Sequence, residues 1–403
     1  MSRRQDGSAR PHVALVLLMV GDLSGSGGAE RQFADLFDHL RTRADVAATL
    51  ITSASSLRHL RDAGKVRGDE GVIVLPVPAQ LGRSVFNVVW MTLTLLFVSL
   101  TRGFDVVHLC LPTPIYVPFA ALLTALPASI RPRLVLMVID CTLAWNWERS
   151  NIPDTYERQV VEAHRRFFAW SRIDAIYSWY EAVVTLCQRH RLLPRHALIA
   201  AARYCFTQTD HFAPAAKQKV IVYAGRLSAQ KRPLLFVDAV AELRARYPEL
   251  VGGWRFEIYG RGVLAAEVAA RITERRLGDI MSLDSALDMA PIFARTRLFV
   301  STQAFENFTS LAMLEAMAAG NAVIAEDVGQ THEFVRDSEN GLVVTPPTPE
   351  AFAEGMARYL REPDRHAAMA IASRRLATEV HTIEHFTDDI LAFWRRVAAG
   401  PGG

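Results

Sequence analysis

The sequence predicts an α/β protein made of two doubly wound domains, each with a parallel sheet covered by helices on both faces. Short β-branched runs alternate with longer helical patterns along the whole chain, and continuous apolar strands of this kind are typical of parallel sheets. Each half of the chain has its own set of strands. The length of 403 residues also fits two domains of roughly 200 residues better than one.

The individual strands are predicted from the β-branched apolar runs. In the first half these runs span residues 13–20, 46–52, 72–75, 105–109, 134–139 and 173–177. In the second half they span residues 220–224, 256–259, 298–301, 322–325 and 341–344. A polar stretch with a proline, residues 211–219, lies between the two sets, so we predict domains at residues 1–212 and 213–382 and a separate C-terminal segment at 383–403.

Charge and cysteine usage exclude some classes of protein. The net charge of +3 suits anionic substrates or a membrane surface but is too weak for a nucleic-acid-binding protein. The four cysteines are widely spaced, without a CxxC pair or metal-ligand spacing, and are interpreted as reduced, buried residues of a cytosolic protein. The apolar run at residues 13–20 is too short for a signal peptide and is interpreted as a buried first strand.

Two segments suggest contact with a membrane. Residues 84–100 carry no charge over 17 residues, at the lower edge for spanning a bilayer, and we expect a buried or membrane-facing helix there. Residues 157–172 combine four arginines with Phe167, Phe168 and Trp170. Such a helix is typical of docking on an anionic leaflet, and the alternative is an ordinary amphipathic helix with a solvated basic side.

Ligands of doubly wound sheets bind outside the carboxyl ends of the strands, so the loops there are the places to look for chemistry. The loop after the strand at 220–224 begins with Gly225, which permits a tight turn, and carries Arg226 and Lys231 before Pro233 opens a helix. Two cations at this place suit a diphosphate, with Arg226 binding phosphate bidentately and Lys231 acting as a point charge. The alternative is a solvated basic loop.

A helix is predicted after the strand at 298–301. Thr309 or Ser310 is a good N-cap and Gly320 a good C-terminal stop, so the unpaired N–H groups at the start of this helix form an anion site. Glu315 falls in the second turn, within reach of a ribose hydroxyl. Glu306 lies on the preceding loop, where a carboxylate accepts hydrogen bonds from sugar hydroxyls. Solvated surface glutamates are the alternative for this pair.

The glycine-rich segment at residues 21–31 opens a helix in the first half. It does not fit G-x-G-x-x-G, because counting from Gly25 places Glu30 at the last glycine. No G-x-x-x-x-G-K-[ST] occurs either. The segment therefore gives little support to a dinucleotide site and less to a nucleoside-triphosphatase site. It is interpreted as a turn that approaches a phosphate or sugar.

Together these segments resemble glycosyltransferase family 4, the retaining enzymes of GT-B fold. The segments that match, in the family's order, are Gly27-Gly28-Ala29-Glu30-Arg31, Asp105-Val106-Val107-His108, Ala175-Ile176-Tyr177-Ser178, Ala224-Gly225-Arg226-Leu227 with Lys231, Gly260-Arg261-Gly262, Glu306 through Gly320, Gly329 with Glu333, and Asn340-Gly341-Leu342-Val343. The match covers most of the chain. It implies the GT-B fold, in which two Rossmann-like domains face each other across a cleft.

The resemblance also implies roles for single residues. Arg226 and Lys231 would neutralise the departing diphosphate, Glu315 would bind the nucleotide ribose, and Glu306 would contact the donor sugar. His108 would contact the donor sugar or the acceptor. The remaining nucleotide-binding positions implied by the motifs are Gly27, Gly28, Gly225, Gly260, Thr309, Ser310 and Leu311.

The chain departs from the family pattern at three places. Glu306 and Glu315 are nine residues apart instead of eight, so strict spacing puts Asn307 in the first glutamate's position, and a one-residue bulge at 307–310 would restore Glu306. Ile139-Asp140 stands where the family often has His-Asp. Residues 206–210 replace the Asn-Gly turn usual at the domain junction. Most departures concern the acceptor half and the linker.

The function implied by the resemblance is transfer of a sugar from a UDP- or GDP-linked donor to a glycan or lipid-linked acceptor, in cell-surface polysaccharide or glycolipid biosynthesis. Neither a metal nor another cofactor is expected, since the cations and the helix terminus stabilise the leaving charge. The cysteines indicate a cytoplasmic protein, and residues 84–100 and 157–172 suggest peripheral association at the inner face of the plasma membrane. The resemblance also implies that an amphipathic helix at residues 385–398 crosses back onto the first domain. An enzyme like a nucleotide-sugar epimerase and a catalytically inactive binding partner remain as alternatives.

Overall fold

The computed structural model describes residues 10–18, 28–77, 84–110, 113–138, 156–169, 171–304, 306–308 and 310–400. The chain divides into two compact units. Unit 1 comprises Met1–Arg203 together with Ile383–Gly403, and unit 2 comprises Tyr204–Thr382. The first unit thus ends nine residues before the boundary expected from the sequence, and the C-terminal segment belongs to it.

Unit 1 contains a parallel seven-stranded sheet in the order β3-β2-β1-β4-β5-β6-β7. Its strands are β1 (His12–Val16), β2 (Ala47–Ser53), β3 (Val72–Leu75), β4 (Val106–Leu109), β5 (Arg133–Val138), β6 (Ala175–Ser178) and β7 (Leu198–Ala201). Its described α-helices are α1 (Gly28–Leu40), α2 (Ala54–Asp62), α3 (Val85–Thr101), α4 (Val117–Ala125), α5 (Tyr156–Phe168), α6 (Glu181–Arg189) and, from the C-terminus, α14 (Ile383–Ala399).

Unit 2 contains a parallel six-stranded sheet in the order β10-β9-β8-β11-β12-β13. Its strands are β8 (Val220–Ala224), β9 (Arg255–Tyr259), β10 (Met281–Asp284), β11 (Leu298–Ser301), β12 (Ala322–Glu326) and β13 (Gly341–Val344). Its described α-helices are α7 (Pro233–Arg246), α8 (Pro248–Val251), α9 (Ala265–Glu274), α10 (Ala290–Arg295), α11 (Leu311–Ala318), α12 (Pro349–Arg361) and α13 (His366–Arg375).

Each unit has its own hydrophobic core. In unit 1, Met91 of α3, Phe119 of α4 and Phe167 of α5 belong to one buried cluster with the strand residues, so these three helices cover the same side of the sheet. A second cluster fills unit 2 between its sheet, α7 and α12. Among the described cysteines, Cys110, Cys187 and Cys205 are buried and unbridged, as predicted, whereas Cys141 lies outside the described residues.

The C-terminal helix α14 packs on unit 1 through its apolar side. Phe386, Ile390, Phe393 and Trp394, the apolar positions expected from the sequence, are all buried. Asp389, on the same helix, accepts a hydrogen bond of 2.7 Å from the hydroxyl of Tyr177. The helix is therefore held by both apolar contact and a specific polar bond.

The two segments that suggested membrane contact differ in the structure. The helix α3 buries Met91, Thr92, Leu95 and Ser99 and exposes its opposite side. In α5 the aromatic residues Phe167 and Phe168 lie in the core, so the interpretation that they dock on a leaflet is wrong, and Trp170 lies outside the described residues. Within the described parts of the chain, every helix is too short or too polar to cross a bilayer.

Candidate functional site

Four loops of unit 2 meet at the carboxyl edge of its sheet. They follow β8, β9, β11 and β12, and backbone hydrogen bonds join the first three. The N–H of Gly225 donates to the carbonyl of Tyr259 at 3.0 Å, and the N–H of Ala304 donates to the carbonyl of Gln230 at 2.9 Å. The loop after β12 joins them through the N–H of Gln330, which donates to Glu306 Oε1 at 2.7 Å. The four loops thus form one connected surface.

The close approach of the first two loops requires glycine at one position. A Cβ atom on Gly260 would overlap the carbonyl oxygen of Gly225, whereas a Cβ on Gly225 itself would make only an ordinary contact with Tyr223. Gly260 is therefore the residue that lets the loop after β9 lie against the loop after β8. The tight turn expected at Gly225 does not depend on a glycine for space.

The cations of the loop after β8 lie on this surface. Arg226 is exposed and Lys231 is half-buried, and Lys231 Nζ donates a hydrogen bond to Gln303 Oε1 in the loop after β11. The backbone carbonyl of Lys231 accepts hydrogen bonds from the hydroxyls of Tyr223 at 3.1 Å and Thr302 at 3.0 Å. Neighbouring strands therefore fix the position of Lys231.

Arg232 is a cation of this site that sequence reasoning missed. It has a left-handed backbone (φ 45°) just before Pro233 opens α7. Its Nε donates to the carbonyl of Thr302 at 2.9 Å, and its guanidinium forms an ion pair with Glu326, which is buried at the end of β12. The pairing links residues 94 positions apart, so no local motif indicates it. Arg232 anchors the loop and leaves Arg226 and Lys231 as the cations at its surface.

Glu306 is buried against the loop after β12. Its Oε1 accepts hydrogen bonds from the backbone N–H groups of Phe308 at 2.9 Å and Gln330 at 2.7 Å. Gly329 has φ +52°, and a Cβ there would overlap the Glu306 carboxylate. The carboxylate therefore lies directly on the backbone at residues 329–330, and it shapes that loop as well as the site.

Asn307, the other candidate for the first-glutamate position, is fully buried. Its Oδ1 accepts from Ser301 Oγ at 2.7 Å, and its Nδ2 donates to the carbonyl of Glu326 at 3.0 Å and to Thr331 Oγ1 at 2.8 Å. Both amide protons are used within the protein. Asn307 therefore ties the ends of β11 and β12 together, and Glu306 is the residue of the two that brings a carboxylate to the site.

The helix α11 begins at this edge. Ser310 is its N-cap and forms no side-chain cap hydrogen bond with any described residue, which leaves the first-turn N–H groups, from Leu311 on, as anion donors. Glu315 is half-buried in the second turn. Gly320, at φ +70°, follows the last turn as expected, whereas Thr309 lies outside the described residues.

Two basic side chains bind the carboxyl end of α11. Lys217 Nζ donates to the carbonyl of Ala319 at 2.7 Å, and Arg374 donates to the carbonyl of Ala318. Burial lowers the pKa of Lys217 to about 7. Donors at the carboxyl end of a helix complement its dipole. These contacts fix the axis of α11 and therefore where its amino end points.

The first-half candidates lie in unit 1. Gly28 begins α1 after the carboxyl end of β1, and Gly27 lies outside the described residues. His108 lies in β4 with no part of its side chain exposed, and its Nδ1 accepts a 3.1 Å hydrogen bond from Nε1 of Trp394. This corrects the prediction that His108 contacts the donor sugar or the acceptor, because α14 covers the ring and makes it a core residue.

The burial of His108 predicts a pH dependence of stability. Burial lowers the pKa of His108 from 6.5 to about 3, so between these values the unfolded chain binds a proton that the folded chain does not. The free energy of unfolding should therefore fall as the pH drops from 6.5 towards 3, by up to about 1.4 kcal/mol per pH unit for this one group.

Chemical denaturation of the wild type and of His108→Gln at several pH values checks this expectation. Glutamine keeps an acceptor for Trp394 but cannot take up a proton. In this pH window the free energy of unfolding of the variant should change less with pH than that of the wild type. The difference between the two slopes should correspond to the uptake of at most one proton on unfolding. Equal slopes for the two proteins would contradict the assignment of His108 as a buried neutral group.

Part of unit 2 matches a known protein family. Residues 218–362 match the model of the family described as Glycosyl transferases group 1. This confirms the resemblance for that stretch, which contains Arg226, Lys231, Glu306 and Glu315. The narrower assignment to family 4 stays a prediction.

Curated relatives are similar over part of their length. A D-inositol 3-phosphate glycosyltransferase of Jonesia denitrificans is 28% identical over 186 residues, 44% of this chain and 43% of the relative. A lipopolysaccharide core biosynthesis mannosyltransferase, LpcC, of Rhizobium leguminosarum bv. viciae is 34% identical over 155 residues, 37% of this chain and 41% of the relative. The similar stretch thus spans about two fifths of these relatives.

Solved structures are similar over nearly the whole chain. A glycosyltransferase from Rickettsia africae matches with a TM-score of 0.70 and 13% identity over 96% of this chain and 98% of the other. Anabaena Alr3699/HepE in complex with UDP matches with a TM-score of 0.67 and 18% identity over 95% and 99%. At such identities the likeness concerns the fold alone, and with the two parallel sheets it confirms the predicted GT-B fold.

Proposed function

We propose that this chain is a retaining glycosyltransferase that moves a sugar, of hexose type, from a nucleotide-diphosphate donor to an acceptor. The observation that carries the proposal is the connected surface at the carboxyl edge of the unit 2 sheet. There Lys231 is fixed beside Gln303, the amino end of α11 lies at the same edge, and Glu306 is set on the backbone of the next loop. The family match over residues 218–362 supports the same reading.

The positive groups at this edge of the sheet suit a reaction with a diphosphate leaving group. Breaking the bond between sugar and diphosphate leaves negative charge on the phosphates, and donors already in place stabilise it without reorganisation. Arg226 and Lys231 supply full charges, and the first N–H groups of α11 supply dipoles aligned with the leaving group. In the retaining reaction that we propose, a phosphate oxygen of the leaving group also takes the proton from the acceptor hydroxyl.

The remaining parts of the proposal concern the nucleotide sugar and its surroundings. We propose that Glu315 binds the ribose and Glu306 the donor sugar, and that UDP or GDP is the carrier. The acceptor is a glycan or a lipid-linked molecule, the reaction belongs to cell-surface polysaccharide or glycolipid synthesis, and the protein works in the cytoplasm at the inner face of the plasma membrane. Names of relatives such as the lipopolysaccharide mannosyltransferase support the acceptor class.

A panel of UDP- and GDP-linked sugars tests the function. Incubation with each donor should release nucleoside diphosphate for one or a few of them, with the sugar passing to water or to an added acceptor. An epimerase-like enzyme would instead release nucleotide and a rearranged free sugar with no need for an acceptor. An inactive binding partner would bind donors without turnover, and either outcome would overturn the proposal.

The proposal includes independence of metal ions, since Arg226, Lys231 and the start of α11 provide the positive charge. Transfer should be unchanged after dialysis against EDTA and assay in its presence. A loss of activity that Mg²⁺ or Mn²⁺ restores would contradict this part of the proposal.

Glu315→Gln is expected to raise the KM for the donor by about 10- to 100-fold, because a hydrogen bond to a charged group contributes about 1.5–3 kcal/mol. The value of kcat should change less, since the ribose contact is present before and during transfer. Initial rates at several donor concentrations measure the effect.

The matched control for this variant is Glu274→Gln on α9, whose side chain is 70% exposed. Kinetics equal to wild type are expected for that control. An unchanged donor KM in Glu315→Gln would mean that Glu315 does not contact the nucleotide.

A further inference from the structure

The helix α3 presents an apolar face that the described residues of unit 1 leave exposed. Six of its large apolar side chains are between 42% and 79% exposed. They are Val85, Phe86, Val89, Trp90, Leu93 and Phe97. Each of the six lies three or four residues from another, so they form one stripe along the helix. A contiguous exposed stripe of this size marks an interaction surface.

The neighbouring elements extend this face. The helix α4 packs against α3 and exposes Leu122, and the loop after α4 exposes Ile130. We define the α3 face as the exposed stripe of α3 together with these two residues. Because α3, α4 and α5 cover the same side of the sheet, the exposed residues of α5 belong to the same outer surface of unit 1.

Three polar side chains on or next to the α3 face donate hydrogen bonds within the protein. Thr94 Oγ1 donates to the carbonyl of Trp90 at 2.9 Å, and Thr101 Oγ1 donates to that of Phe97 at 2.7 Å. Trp90 Nε1 donates to the carbonyl of Pro76 at 2.7 Å. Since α3 also carries no charged residue, these three groups keep their partners when the face leaves water, which lowers the cost of contact with hydrocarbon.

Charge next to the α3 face indicates which partner it meets. Residues 84–195 contain eleven arginines against eight acidic residues, so this segment alone has the net charge of +3 that the whole chain has. Arg102 at the end of α3 and Arg158, Arg165 and Arg166 on α5 are exposed. An apolar face bordered by arginines complements a lipid leaflet with anionic headgroups.

We propose that the α3 face inserts into an anionic lipid leaflet and seats unit 1 on the membrane, with the arginines of α5 on the headgroups. In this arrangement α3 makes the apolar contact with the lipid chains, and α5 contributes only electrostatic attraction to the headgroups. The seating uses none of the residues of the donor site in unit 2. It deepens the membrane location of the proposed function and rests on that part of it, but it does not depend on sugar transfer.

Co-sedimentation of the full chain with vesicles tests the proposal. Wild type should bind phosphatidylcholine vesicles that contain phosphatidylglycerol, and binding should weaken but persist at high salt. The double variant Phe86→Ser/Phe97→Ser should lower the partition coefficient by about tenfold or more, because two exposed aromatic groups leave the interface. Arg165→Gln/Arg166→Gln should reduce the preference for anionic vesicles and the dependence on salt.

The matched control is Ile371→Ser on α13 of unit 2, since Ile371 is 69% exposed and Phe97 is 67% exposed. Ile371→Ser should leave vesicle binding unchanged, while Phe97→Ser alone should weaken it. Binding by wild type that the α3 variants do not alter would overturn the proposal, and so would absence of binding.

Sedimentation velocity tests whether a second copy of the chain, instead of a membrane, covers the α3 face. If the wild type is a dimer that does not bind vesicles and Phe86→Ser/Phe97→Ser is a monomer, the α3 face is a self-interface and the proposal is wrong. Nucleotide binding, measured on the same variants without vesicles, should equal that of wild type. Failure of that binding in the wild type would count against the donor site and not against membrane seating.

Discussion

Replacing Lys231 with alanine is expected to lower kcat for sugar transfer by about 10²–10³-fold, because one preorganised donor to a developing charge contributes about 2.7–4 kcal/mol. Lys231 is held beside Gln303 by the contact of its Nζ, while the hydroxyls of Tyr223 and Thr302 fix its backbone. The position is therefore set before the donor binds. Steady-state rates with the donor identified from the panel measure the effect.

Lys219→Ala is the matched control for this variant. Lys219 is exposed and lies just before β8, at the amino end of the strand whose carboxyl end leads to Lys231. The two substitutions remove the same side chain at opposite edges of one sheet, and Lys219→Ala should retain full activity. Transfer by Lys231→Ala at the wild-type rate would show that the diphosphate does not bind at this loop.

Glu306→Ala should lower transfer by about 100-fold and also lower the melting temperature. Removing the carboxylate leaves the N–H groups of Phe308 and Gln330 without the acceptor they have in the folded protein, at a cost of about 1–3 kcal/mol for each. Glu306→Gln keeps an oxygen for these donors and should keep most of the stability while losing about tenfold in rate with the charge. Thermal melts and rates of both variants measure the two contributions separately.

A substitution in the loop after β12 should displace the same carboxylate. Gly329→Ala should reproduce the loss, because the added Cβ would overlap the Glu306 carboxylate and the backbone there has φ +52°. Gly278→Ala is the matched control, since nothing lies within 4 Å of a Cβ at that position. If Gly329→Ala and Glu306→Ala each transferred sugar at the wild-type rate, Glu306 would not contribute to the site.

The strands of both sheets could largely be predicted because buried parallel strands are continuous apolar runs. All eleven predicted runs overlap strands, with ends that differ by a few residues. The two strands that the sequence did not indicate, β7 and β10, are the edges of their sheets. Leu198–Ala201 is half-buried throughout, and Met281–Asp284 alternates between buried and exposed residues, so neither shows the pattern of a strand covered on both faces.

Contacts between distant residues explain what the sequence could not predict. Arg232 pairs with Glu326, and Asn307 bonds to Thr331, and neither pairing leaves a local signal. The family resemblance implies that His108 contacts a ligand, but α14, nearly 300 residues further along the chain, buries it. The aromatic residues of α5 suggested membrane contact from composition alone, and only packing shows that they lie in the core.

Hydrogen exchange with and without the nucleoside diphosphate of the active donor tests whether the donor binds to unit 2, because it locates the bound nucleotide on the chain. Peptides that cover residues 225–232 and 302–318 should exchange more slowly when the nucleotide is present at saturation, and Lys231→Ala should weaken this protection. Protection confined to unit 1, or none in these two segments while the nucleotide is bound, would contradict a donor site at the carboxyl edge of the unit 2 sheet.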